Sequence, residues 1–118
     1  MRTQEQRTTA RFPVRFRSSF TSTNVVGGEG NVIDVSVRGC RIESTIQVHT
    51  GTVLELRLYL STDEPPLGVV QAVVRWSRGR HFGVEFVSLE PEEWARLQHF
   101  VKDLERQPAD LPADDSSV

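Results

Sequence analysis

The sequence is short of several residues that staple or equip other small proteins. It has one cysteine, Cys40, which excludes an intrachain disulfide and a multi-cysteine metal site. Its three histidines, His49, His81 and His99, are scattered at spacings that place no two of them on one metal. Long apolar runs are missing, because Val69–Val70 and Val73–Val74 are far too short to cross a bilayer. The segment from Met1 to Arg11 is charged and has no apolar core of the kind that directs secretion. Lysine is scarce as well: 13 of the 14 basic residues are arginine, and Lys102 is the exception. Together these gaps predict a soluble protein of a reducing, cytoplasmic compartment with no membrane insertion.

What remains is ordinary material for one small domain. The chain has 118 residues, 37% of them hydrophobic and 25% charged, and a chain of this size buries roughly two-thirds of its unfolded surface. The net charge of −2 hides an asymmetry. Arg2, Arg7, Arg11, Arg15 and Arg17 stand against Glu5 near the start, whereas Asp110, Asp114 and Asp115 make the end acidic. Arginine carries a planar fork that binds phosphate and stacks on rings, which lysine does not.

Between these ends the hydrophobic pattern has period two and is punctuated by turn residues. Phe12, Val14 and Phe16 alternate with Pro13, Arg15 and Arg17 and predict a first strand over Phe12–Thr21. The glycine-rich stretch Asn24–Gly30 reads as a loop. A second strand over Asn31–Val37 puts Ile33, Val35 and Val37 on one face, and Arg38-Gly39 reads as a tight turn in which glycine supplies a positive φ. Cys40, Ile42 and Ser44 then share the inner face of a third strand, opposite Arg41 and Glu43. Leu54, Leu56, Leu58 and Leu60 mark a fourth strand over Thr52–Leu60. Val69–Trp76 reads as a fifth, and Phe82, Val84 and Phe86 mark a sixth after the Arg78-Gly79 turn. Six short strands joined mostly by hairpins predict an all-β fold, a closed antiparallel barrel, because closure removes exposed edges.

The period then changes. Trp94, Leu97, Phe100, Val101 and Leu104 fall at helical spacing. Pro91 suits a first helical position, and Glu90, Glu92 and Glu93 suit the positive N-terminal end. A C-terminal helix over Pro91–Gln107 follows. The domain plan is a flexible basic arm (1–11), a barrel with its helix (12–107) and a disordered acidic tail (108–118), which has too little apolar content to pack.

Catalysis finds no support in this pattern. A nucleophile needs a base and an orienting group, and neither is assignable around Cys40 or any serine. Cys40 reads as a buried structural thiol, and no metal site or cofactor is expected. The sequence reads as a binding module, not an enzyme.

Two motifs carry the binding argument. Arg7 and Arg11 lie four residues apart just before the first strand, although Arg11 and Arg15 share that spacing. The second motif is Asp34-Val35-Ser36-Val37-Arg38-Gly39. On an extended strand Asp34 and Ser36 share the face opposite Val35 and Val37, which puts carboxylate and hydroxyl on the outer wall. Gly39 permits close backbone approach. By alternation with Ala72 and Val74, Trp76 points into the core.

In these motifs the sequence resembles the PilZ domain family, receptors for the bacterial second messenger cyclic di-GMP. The family pattern is Arg-x-x-x-Arg before the first strand and Asp/Asn-x-Ser-x-x-Gly some twenty to thirty residues later. Val73-Val74-Arg75-Trp76 and Phe82-Gly83-Val84-Glu85-Phe86 look like its last two strands, so the resemblance covers about residues 5–105. It implies that Arg7, Arg11, Asp34, Ser36 and Gly39 bind cyclic di-GMP, with Gln6, Arg38 and Trp76 as secondary positions. Gln6 stands where many ligand-binding members have a further arginine. Trp76 occupies the place from which an aromatic stacks on the ligand in some relatives. Arginine forks suit phosphate and the O6/N7 edge of guanine, and a carboxylate suits guanine's N1/N2 donors. The implied action is a receptor whose arm orders on the ligand and then engages a downstream protein. Two alternatives are a nucleotide-independent PilZ-like interaction module and a barrel for single-stranded nucleic acid. The second lacks the exposed aromatics such barrels use, so neither DNA nor RNA is expected.

Overall fold

The fourth strand shows most plainly why this chain forms a barrel. From Val53 to Leu58 the residues alternate exposed and buried without a break, with Leu54, Leu56 and Leu58 wholly inaccessible. The structure is a computed structural model that describes residues 10–22 and 27–106. Its elements are β1 (Phe12–Thr21), β2 (Gly28–Val35), β3 (Gly39–Glu43), β4 (Val53–Leu58), β5 (Leu67–Arg78), β6 (His81–Ser88) and α1 (Pro91–Arg106). All pairings are antiparallel, and the sheet closes in the order β1-β2-β3-β6-β5-β4. The long strand β1 effects the closure. Phe12–Phe20 pairs with β2, and Ser18–Thr21 also pairs with β4.

The predicted all-β barrel with a C-terminal helix is therefore the fold observed. Cys40, Ile42 and Ser44 face inward on β3 and its continuation, and Phe82, Val84 and Phe86 do so on β6. Phe20 meets Phe82 edge to face, with ring centroids 5.3 Å apart. Helix α1 adds Leu97 and Val101 to the same core, and its Phe100 packs edge to face on Phe16 of β1. Arg96 ties the helix to the loop between β4 and β5, donating to the Pro65 carbonyl at 2.8 Å and pairing with Glu64, and it also pairs with Glu93 on the helix itself. Among the described residues no helix is long and apolar enough to span a membrane.

Strict alternation fails where the pairing slips, most plainly in β2 and β5. In β2 the register slips between Val32 and Asp34, so Val32 and Val35 are both fully buried while Ile33 is only half-buried. The predicted face of Ile33, Val35 and Val37 is corrected accordingly. In β5 one slip lies between Val69 and Ala72, and a second falls between Val74 and Trp76. An extra residue in one strand turns two consecutive side chains outward, and here both Arg75 and Trp76 are exposed. Trp76, at 39% exposure, is thus not the core residue that alternation implied.

Several expectations lie outside the described residues: those for Gln6 and Arg7, for most of the arm, for part of the Asn24–Gly30 loop, and for Gln107 with the acidic tail.

Candidate functional site

The turn between β2 and β3 is organised by one hydroxyl. Ser36 is completely buried; its Oγ accepts from the backbone N–H groups of Arg38 at 3.0 Å and Gly39 at 3.2 Å. Its own N–H donates to the Gly39 carbonyl at 2.8 Å, closing a turn with Val37 and Arg38 at its centre. Ser36 therefore does not stand on the outer wall, as strand alternation had placed it. β2 ends at Val35, and the chain bends before the next side chain can alternate. Serine is favoured here because its short side chain replaces backbone acceptors in a turn.

Gly39 is also needed for a reason other than the one inferred from sequence. Its φ is not positive. A Cβ at this position would collide with the Val84 carbonyl oxygen of β6. Gly39 thus allows β3 and β6 to approach, while the Arg38 carbonyl accepts from Phe86 N–H at 2.8 Å. Positive φ belongs instead to Gly79, in the β5–β6 turn.

Beside this turn lies an open cavity of about 540 Å³, lined in part by Arg11, Asp34, Arg38, Arg41, Arg75 and Trp76. Its volume falls within the usual range for small-ligand sites. Asp34 is its focus. Arg11 donates to Asp34 Oδ1 from Nη2 at 2.7 Å and from Nε at 3.1 Å, and Arg41 Nε lies 3.3 Å from Oδ2. Arg75 donates to Glu85 Oε1 at 2.7 Å on the far side. The lining arginines outnumber Asp34 and Glu85, so the cavity favours an anion.

Of the residues singled out from sequence, the fold brings Arg11, Asp34, Arg38, Gly39 and Trp76 to this one cavity. Ser36 supports it from within. Arg15, the competing partner of Arg11, is exposed and among the described residues reaches only Glu43, at 3.9 Å. Arg17 lies over the Tyr59 ring. Sequence reasoning missed Arg41, Arg75, Gly83 and Glu85 as members of the lining. Gly83 is telling, because a Cβ there would collide with the Trp76 indole. The indole lies across β6 where no side chain blocks it. Cys40 backs the cavity but is fully buried, and burial pushes its thiol well above the usual range, reinforced by the Asp34 charge against the opposing effect of Arg11. Burial and a raised pKa both disfavour the thiolate that a nucleophile requires. Among the described residues no group of three or more histidine, cysteine or acidic side chains is placed to hold a metal.

The comparisons with known proteins agree with this architecture. The PilZ domain from CeSA of a cellulose-synthesizing bacterium superposes with a TM-score of 0.64 at 14% identity, covering 82% of this chain and 99% of that one. The PilZ domain of YcgR from Escherichia coli, solved with c-di-GMP, gives a TM-score of 0.73 at 12% identity and covers 92% and 97%. The Bacillus subtilis inhibitor of motility, MotI/DgrA, gives 0.69 at 16% identity, covering 87% of this chain and 51% of that one. The present chain thus spans about half the length of that relative. No curated protein sequence matches the chain. At these identities the structures establish a shared fold. The sequence profile of the PilZ domain matches residues 2–103, from the basic arm to the last turn of α1, and the chain therefore belongs to the PilZ domain family.

Proposed function

We propose that this chain is a receptor for cyclic di-GMP, which binds at the wall formed by Arg11 and Asp34 and is clamped by the arm that carries Arg7. The observation that supports it best is the doubly hydrogen-bonded contact of Arg11 with Asp34 at the edge of an arginine-rich cavity. It joins one member of each sequence motif across 23 residues of chain. The dinucleotide offers two phosphates and two guanines. Arg7, Arg11 and Arg38 suit phosphate or the guanine O6/N7 edge, Asp34 suits the N1/N2 donors, and the exposed Trp76 offers a stacking face. Ser36 and Gly39 serve by fixing the turn. In this reading residues 1–11 form the ligand-responsive arm, 12–107 the receptor body and 108–118 a tail outside the site. Ligand held by the arm changes the surface offered to a downstream protein. The role is recognition without catalysis or cofactor.

Calorimetric titration tests the reading. Cyclic di-GMP is expected to bind at micromolar concentration or tighter, about −8 kcal/mol or better, with GTP far weaker. Arg7→Ala, Arg11→Ala and Asp34→Ala are each expected to weaken binding by about 2–5 kcal/mol, roughly thirty- to several-thousand-fold. Equal affinity for GTP, or wild-type affinity in Arg11→Ala, overturns it.

A further inference from the structure

Four positions form one row across the outer wall of the barrel. Asp34 on β2 pairs with Arg41 on β3, Arg41 with Gly83 on β6, and Gly83 with Trp76 on β5. Neighbouring strands lie about 4.8 Å apart, so adjacent members of the row can act on one planar group. Within the row Gly83 contributes no side chain, and the Trp76 indole lies over it; at the Asp34 end Arg11 occupies one carboxylate oxygen, Oδ1.

Arg41 is the member that the motifs do not include. Its Nε is buried 3.3 Å from Asp34 Oδ2, yet no acceptor among the described residues is aligned with its hydrogen. Its side chain is 43% exposed and lines the cavity. Arg75, by contrast, is held by Glu85 at 2.7 Å, and Arg11 gives both its bonds to Asp34 Oδ1. A carboxylate has about four lone-pair sites, so Asp34 keeps acceptor capacity beside the Arg41 guanidinium. The wall therefore presents a donor fork and an acceptor side by side.

That order is complementary to one nucleobase edge. Guanine presents the O6 acceptor beside the N1–H and N2–H₂ donors, whereas adenine presents the N6–H₂ donor beside an acceptor. An adenine in the same pose sets donor against donor at Arg41 and acceptor against acceptor at Asp34. We propose that Arg41 is a specificity-determining residue that donates to guanine O6 while Asp34 accepts from N1 and N2, so that the pair reads guanine against adenine. The proposal rests on the cyclic di-GMP reading above and adds to it a contact outside both motifs.

The test is titration of the wild type, Arg41→Met and Arg41→Lys with cyclic di-GMP and with cyclic di-AMP, with circular dichroism as a check on folding. Arg41→Met is expected to lose roughly 5- to 150-fold in cyclic di-GMP affinity, the range of one good base contact, and nothing toward cyclic di-AMP. Its guanine preference shrinks by the same factor. Arg41→Lys keeps a donor without the planar fork and should fall between; it carries the test if the methionine variant does not fold. Equal losses toward both ligands indicate a general charge effect and overturn the proposal, as does wild-type affinity in both variants. A wild type that fails to bind cyclic di-GMP overturns the functional reading as well. A wild type that binds it, with guanine preference unchanged by either variant, overturns only the assignment of Arg41.

Discussion

Strand β4 and the wall built from β2, β3, β6 and β5 use the same alternating pattern, but they treat it differently. Along β4 every second side chain is buried from Leu54 to Leu58, and the outward residues are exposed singly. Across the wall, bulges after Val32 and Val74 interrupt the pattern and leave Asp34, Arg75 and Trp76 facing one cavity. Regular alternation along β4 maximises apolar burial, the extra residue in its pairing with β5 being carried by β5. The irregular wall gives up some regularity to gather polar and aromatic groups, as bulges beside functional sites commonly do. The regular apolar packing and the candidate site thus fall on different arcs of one closed sheet.

Three substitutions sharpen or break this division. The largest effect belongs to Leu56→Ala, which removes a fully buried side chain from β4 and should cost about 2–5 kcal/mol of stability. Chemical denaturation measures that cost. At a temperature where the variant stays folded, its affinity for cyclic di-GMP should match the wild type. A specific loss of binding would show that the two arcs are not separable.

Gly83→Ala acts on the other arc. Its methyl group must displace the Trp76 indole, and such overpacking typically costs about 1–3 kcal/mol. Because Trp76 is already partly exposed, the strain should be relieved by rotation of the indole into solvent. The expected signature is a red-shifted tryptophan emission and weakened ligand binding, with a stability loss smaller than that of Leu56→Ala. Unchanged fluorescence and affinity would remove Trp76 from the site.

Arg15→Ala should have the smallest effect, under about 1 kcal/mol on both stability and binding, as exposed charges usually do. Its side chain is 66% exposed and meets Glu43 only at 3.9 Å. A loss of ligand affinity in Arg15→Ala but not in Arg7→Ala would show that the ligand uses the other arginine pair.

How far the sequence could be read follows the same division. Leu54, Leu56 and Leu58, Cys40 and Ile42, and the helical stripe with Leu97 and Val101 were all placed correctly from period alone. In those segments hydrophobic burial and local geometry agree. Ile33, Ser36 and Trp76 were misplaced because a bulge or an early strand end shifts alternation by one residue, and nothing in the local sequence announces it. Gly39 was given a positive φ that it does not have; what requires glycine there is Val84 across the gap, 45 positions along the chain. Arg41 could be put on the outer face from its alternation with Cys40 and Ile42. Its position beside Asp34 could not.

The sequence by itself determined the number of strands, the C-terminal helix, the inward leucines and the two motifs on which the resemblance to PilZ domains rests, because these depend on periodicity and on residue types at short spacing. The tertiary structure alone decided which residues share the cavity. The row Asp34, Arg41, Gly83 and Trp76 draws one residue from each of four strands. Its alignment is set by strand register and bulges, and register emerges only when the whole sheet closes and every strand must bury its apolar face at once.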